Sequence, residues 1–354
     1  MQNGFRGVCV LKKRLIAYHL PQFHRIKEND MWWGAGYTEW TALKKWKPYF
    51  KGHKLRFPGN LGYYDLLDPS ILERQYRLAN EHSIEGFCFW TYWFGNGEKL
   101  LEKPLDLLLR PQSHVKYCLA WANHDWVDKS KGILLKRQTY LGKKDYKAFF
   151  YSYLPHFSNP NYIKIKNRPL ISIFKPQDIP DFDAFYLTWE ELIQREGFDG
   201  MYFISDQFIP HFKYNNFFQG FAHSPSMFKN RTFFQKILEK LIRDYKFTVF
   251  GPMKYSFPAM MRNIYKDFSS NNKFIPTIFS GWDTTPRHGK RGVVLNDFDL
   301  ASFQKHVEEV FAFNPSQELI FIKSWNEWAE GNLLEPDNIF GNQMLEILKN
   351  KNQN

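Results

Sequence analysis

Eight short apolar runs recur along this chain, spaced so that a helix fits between most of them. In order they are Arg14–Tyr18, Gly86–Trp90, Tyr117–Trp121, Pro169–Phe174, Met201–Ile204, Phe217–Phe221, Phe274–Phe279 and Leu319–Ile322. Their length and their β-branched and aromatic content read as buried strands. Phe217–Phe221 is the poorest of them, and Pro276 interrupts the seventh. Between the runs lie helical faces. Asp68 caps and Pro69 opens one with Leu72, Tyr76 and Ala79. Others carry Phe149, Phe150, Tyr153 and Leu154; Trp189, Leu192 and Ile193; Phe234, Ile237, Leu238 and Leu241; and Phe303, Val307 and Val310.

This alternation predicts an α/β fold: a single (β/α)8 TIM barrel over residues 1–354, with long βα loops forming an aromatic-lined cleft. Such barrels place their site at the strand C-terminal ends, and polar and aromatic clusters follow runs one, three, five, seven and eight. A doubly wound sheet would need a glycine-rich phosphate loop after an early strand, and the sequence has none.

The last run shows the placement best. Leu319–Ile322 follows Asn314-Pro315 and gives way to Ser324-Trp325-Asn326-Glu327-Trp328-Ala329-Glu330-Gly331. A carboxyl packed against indole is desolvated, which raises its pKa toward the range of a general acid. Glu327 and Glu330 are therefore the candidate catalytic pair. Aromatic residues make up 19% of the chain, and many tryptophans sit beside polar residues. Sugar rings stack on indole while their hydroxyls need fixed polar partners, so this pattern suits carbohydrate; filling a large core is the other reading. The candidate sugar contacts are Tyr18, His19, Trp33, Tyr37, Glu39, Trp40, Trp90, Tyr92, Trp121, His124, Asp125, Trp126, Asp206, Trp282, Trp325 and Asn326. For Glu39, Asp125, Asp206 and Asp283, a loop-capping hydrogen bond is the competing role. Glu335 is either a third site carboxylate or the closure of a turn before Pro336.

Several function classes fall away. His19, His24, His124 and His223 show no standard ligand spacing and no paired cysteines accompany them, so neither a metal nor another cofactor is expected. Cys9, Cys88 and Cys118 read as buried free thiols in a reducing compartment. No run nears the roughly 18 apolar residues of a spanning helix, and the first residues lack a long signal-like core. A cytoplasmic location follows, at the inner face of the membrane if charge brings it there. The net charge of +12 reflects either lysine-covered helices and a frayed tail at Lys349–Asn352, or attraction to an acidic glycan or an anionic membrane. Nucleic acid is not expected, since the basic residues are scattered without a binding motif.

Trp325-Asn326-Glu327-Trp328-Ala329-Glu330-Gly331 resembles the signature of glycoside hydrolase family 99, the endo-α-mannosidases. It is closer still to the WbsX-type proteins, described as glycosyltransferases, of O-antigen and polysaccharide biosynthesis. Tyr18–His24, Gly36–Trp40, Gly86-Phe87 through Tyr92–Phe94, and Trp121–Trp126 agree, so the resemblance spans about Arg14 to Pro336. It implies the barrel and an oligosaccharide or polysaccharide substrate, free or lipid-linked. It also resolves a geometric conflict. Two carboxyls three residues apart can hardly bracket a sugar at the roughly 5 to 5.5 Å separation of an ordinary retaining pair. In family 99 the first glutamate is thought to deprotonate the sugar 2-hydroxyl, which attacks its own anomeric carbon, while the second serves as acid and base. Carried over, those roles fall to Glu327 and Glu330. The expected function is retaining glycosidic cleavage, endo-acting if the family holds. Glycosyl transfer in lipopolysaccharide or capsule synthesis, and a non-catalytic glycan-binding barrel, are the alternatives.

Overall fold

The computed structural model describes residues 12–128, 131–222, 232–244, 251–262, 264, 272–313 and 316–353; Cys9, His223 and Asn314-Pro315 lie outside them. Eight parallel strands form a curled sheet: β1 (Arg14–His19), β2 (Ile84–Trp93), β3 (Tyr117–Trp121), β4 (Arg168–Ile173), β5 (Tyr202–Ser205), β6 (Gly220–Phe221), β7 (Thr277–Phe279) and β8 (Leu319–Lys323). Their order in the sheet is β6-β5-β4-β3-β2-β1-β8-β7. Each strand thus lies beside its sequence neighbour except where β1 pairs β8, in the register Arg14 opposite Leu319. The two outer strands are linked by less than a ladder. Phe221 forms one isolated bridge with Phe274, donating its N–H to Lys273 and accepting from that of Ile275.

Both weak strands are shorter than expected. Asn215–Phe217 turns as a 3-10 helix and leaves β6 two residues. Pro276 has no N–H to give, and β7 begins only after it. The connection from β2 to β3 holds a five-residue helix, Lys103–Leu107.

Helices α1 (Pro69–Glu81), α2 (Lys143–Ser158), α3 (Phe182–Arg195), α4 (Phe233–Asp244), α5 (Leu300–Phe313) and α6 (Gln343–Gln353) accompany the sheet. Asp68 accepts from the Ser70 N–H and Pro69 sits in the first turn, where a missing N–H costs nothing. Large aromatics fill the space between sheet and helices: Trp121 of β3 lies 4.8 Å from Phe149 of α2 and 5.6 Å from Phe185 of α3, centroid to centroid.

Two expectations need correction. The polar tail is an ordered helix, α6, which buries Met344, Leu345 and Leu348. Its Asn352 accepts from the Lys13 N–H and donates to the Lys13 carbonyl, both at 2.9 Å. Conversely, α4 exposes Phe233 and Phe234 instead of burying them. Cys88 and Cys118 are buried, free and opposite one another on β2 and β3. Among the described residues no helix is long and apolar enough to cross a membrane.

Candidate active site

Beyond β8 the chain makes one tight excursion. Asn326–Glu327 pairs antiparallel with Asn332–Leu333, and the 3-10 turn Trp328–Glu330 joins them. Gly331 closes the turn with φ +59, a conformation that disfavours other residues, and a Cβ there would stand 2.8 Å from that of Asp283. The turn thereby sends its side chains in two directions.

On the inner side lies Glu335, 1% exposed. It accepts from the Trp325 Nε1–H at 2.9 Å, the Trp328 Nε1–H at 2.5 Å, the Tyr64 hydroxyl at 2.9 Å and the Gln75 amide at 2.6 Å. Burial pushes its pKa up to about 7, while the four donors lean the other way. Fully enclosed and fully bonded, Glu335 is an anchor for both indoles.

On the outer side stand Glu327 and Glu330, both half-buried. Glu327 accepts from the Trp90 indole N–H at 3.2 Å and from Asn332 Nδ2 at 3.3 Å. Burial, then repulsion from Glu330, pushes its pKa up to about 7, against Arg287 and Lys323. Glu330 Oε1 meets Arg287 Nη1 at 2.7 Å. Arg287 Nη2 meanwhile reaches both oxygens of buried Glu39, at 2.9 and 2.8 Å. Glu39 also accepts the Ala329 N–H at 2.9 Å, so it braces the same turn from below.

Several expected residues gather here. Tyr37 has its pKa raised by burial and by Glu39, and its ring lies 5.9 Å from that of exposed Trp33. The Tyr92 pKa is raised by burial and by Glu327, and Trp126 meets the Tyr92 ring edge-on at 5.1 Å. His124 lies 5.3 Å from Phe174, itself 5.8 Å from Trp90.

Others stand behind the site. Tyr18, His19, Trp121, Trp325 and Asn326 are at most 1% exposed and offer no surface to a sugar. His19 bonds Gln75 and Asn326, and burial drives its pKa down to about 3, leaving it neutral. Asn326 accepts the Leu20 N–H, and Trp40 donates to the Tyr64 carbonyl. Asp206 is 2% exposed between the Tyr18 hydroxyl and Lys323 Nζ, each at 2.8 Å. Asp125 accepts the Gln138 N–H, a loop tie, and Asp283 holds His53 and Thr285. Trp282 packs half-buried against the core. Among the described residues no three His, Cys, Asp or Glu side chains are placed to hold a metal ion.

Sequence reasoning missed Arg287 and Lys323. The available signal was positional: Arg287 follows the polar end of β7, and Lys323 ends β8 immediately before the motif.

The fold is similar to that of solved structures described as glycoside hydrolases or hydrolase-like. A structure described as a glycoside hydrolase-like protein matches with a TM-score of 0.63 at 16% identity, covering 96% of this chain and 94% of that one. The GH99 endo-alpha-mannosidase from Bacteroides thetaiotaomicron matches with a TM-score of 0.57 at 15% identity, covering 96% and 98%. Sequence narrows the class. Residues 15–348 match the family described as Glycosyltransferase WbsX, and the chain belongs to that carbohydrate-active family. It is also 31% identical over 352 residues to WxcX, an uncharacterized protein of Xanthomonas campestris pv. campestris strain B100. The same protein from strain ATCC 33913 is 30% identical over 352 residues. The match covers 96% of this chain and 49% of each relative, so the chain spans about half their length.

Proposed function

We propose that this chain is a single closed (β/α)8 barrel that cleaves glycosidic bonds within a polysaccharide of the O-antigen or lipopolysaccharide type, endo-acting and with retention. The observation that carries the reading is Glu327, raised to about 7 beside Glu330 and under the Trp90 indole. A carboxylate with that pKa is a stronger base than an ordinary glutamate and is still ionised in useful fraction at neutral pH.

Glu327 takes the proton of the sugar 2-hydroxyl as that oxygen bonds to the anomeric carbon. The glycosidic C–O bond breaks, and the departing oxygen receives its proton from Glu330. In this role Glu330 exchanges its contact with Arg287 for the leaving oxygen and carries the one proton that the pair shares, which leaves Glu327 as the ionised base. Water then opens the 1,2-anhydro sugar: Glu330 takes the water proton, the oxygen bonds to the anomeric carbon, and Glu327 returns its proton to the 2-oxygen. Trp33, Tyr37, Trp90 and Trp126 supply stacking surfaces for the flanking sugars.

Transfer to a carbohydrate acceptor in place of water is the second reading, favoured by the description of the family. The deciding experiment incubates the protein with the polysaccharide of its own source, with and without nucleotide sugars. Shorter glycan formed without a nucleotide donor supports cleavage. Product formed only with the donor gives the reading to transfer, and glycan binding without turnover makes the barrel a binding module.

A further inference from the structure

The reaction leaves unexplained a group of aliphatic side chains on the same rim. The hairpin Trp126–Asp128 with Ile133–Lys136 follows the C-terminal end of β3, and the helix Lys27–Trp33 follows that of β1. Both therefore rise from the side of the sheet that carries Glu327 and Glu330. Trp32 and Trp126 join them, edge-on at 5.6 Å.

Trp126 turns inward, onto Tyr92 and Phe94. Its neighbours turn outward: Val127 is 41%, Ile133 51% and Leu134 40% exposed, with Leu141 at 56% and Met31 at 75%. Val127 and Leu134 are direct partners across the hairpin, so their side chains share a face. Branched aliphatic carbon offers a sugar neither a flat stacking surface nor a hydroxyl partner, whereas it suits hydrocarbon. Charge then selects the kind of hydrocarbon. The described residues between 126 and 144 include Lys131, Lys136, Arg137, Lys143 and Lys144 against Asp128 alone, with Lys131 paired to Asp128 and Lys136 to Glu98. Exposed apolar side chains set among cations are how a protein lodges at an anionic bilayer surface, carbon in the acyl boundary and ammonium groups at the phosphates.

We propose that this rim docks on an anionic lipid bilayer, laying the mouth of the site against the membrane surface. The proposal concerns binding alone and stands or falls separately from the reaction above. Leu187 of α3 provides an internal control, since it is 60% exposed among the acidic Asp183, Glu190 and Glu191.

The test is co-sedimentation of the full chain with phosphatidylcholine vesicles containing roughly 30% phosphatidylglycerol. We expect binding that falls about tenfold on phosphatidylcholine alone and is released at about 0.5 M salt. Ile133→Glu with Leu134→Glu should lower the partition about tenfold or more with an unchanged thermal melt, and Leu187→Glu in α3 should leave it as in wild type. If the first pair alters the melt, Met31→Glu with Leu141→Glu gives the same reading from positions outside the hairpin strands. No binding to the anionic vesicles, equal binding by a well-folded double variant, or loss caused by Leu187→Glu instead would overturn the proposal.

Discussion

Glu327 and Glu335 share one segment and one degree of pKa elevation, yet their surroundings differ in kind. Glu335 receives four donors on its two oxygens and touches no solvent. Glu327 receives two long hydrogen bonds, is half-buried, and faces a second carboxylate. A raised pKa therefore reports burial and little else. What separates an anchor from a reactant is whether the oxygens are already spoken for.

The largest effects should come from the outer pair. Glu330→Gln should slow cleavage of unactivated substrates by about 10²–10⁴-fold, and an aryl leaving group that departs without a proton should restore the bond-breaking step while water attack still lacks its base. Glu327→Gln should lose as much without rescue, because ring closure fails whatever leaves. Turnover of paired activated and unactivated glycosides distinguishes the variants; rescue of Glu327→Gln would remove the 2-hydroxyl mechanism. In the wild type, kcat/KM should fall as pH rises through about 7, since the two glutamates then lose the one proton that Glu330 must deliver. A rate that keeps climbing past about 7 would remove this shared-proton mechanism.

Stability sharpens the contrast, because replacing each carboxyl by its amide should act in opposite directions. Glu335→Gln leaves one accepting oxygen for four donors, and the stranded indole and amide N–H groups should cost roughly 3 kcal/mol, a loss partly offset above pH 7 because burial raises the Glu335 pKa as well. Glu327 works the other way. Its folded pKa lies above the ordinary glutamate value of 4.5, so the folded state holds the proton more tightly than the unfolded chain. That contribution is complete below pH 4.5 and is lost as pH rises through about 7. Glu327→Gln stays uncharged throughout, so at pH 8 it should be more stable than wild type by about 3 kcal/mol, a gap that closes toward pH 4.5. Urea unfolding at both pH values gives the signs; equal signs for the two variants would collapse the comparison. The smallest effect is expected of Arg287→Lys, which keeps a charge but cannot grip Glu39 and Glu330 at once. About a tenfold fall in kcat, read in steady-state assays, would fit, and wild-type turnover would free Arg287 of any role.

The eight-strand pattern was legible because each buried strand is a compact apolar run. The end of β8 was legible because indoles and carboxyls crowd directly behind one. Burial of individual polar residues was not legible. His19, Asn326 and Asp206 stand at strand ends like site residues, but they are used up satisfying Gln75, Leu20, Tyr18 and Lys323. Arg287 was missed because a four-residue helix, Thr285–His288, presents it without any periodic pattern. The α6 helix was hidden by its polar composition, since its buried face is only Met344, Leu345, Leu348 and Asn352.

The pairing of β1 with β8 also sets a timetable for the newborn chain. Some 300 residues separate Arg14 from its partner Leu319. At roughly 5–20 residues per second of synthesis, β1 leaves the ribosome and keeps one edge open for about 15–60 seconds. Throughout that interval it presents unpaired backbone to any other nascent strand. The strand that seals the edge is the one that delivers Glu327 and Glu330, so a partly made chain has neither a finished sheet nor a reactive centre.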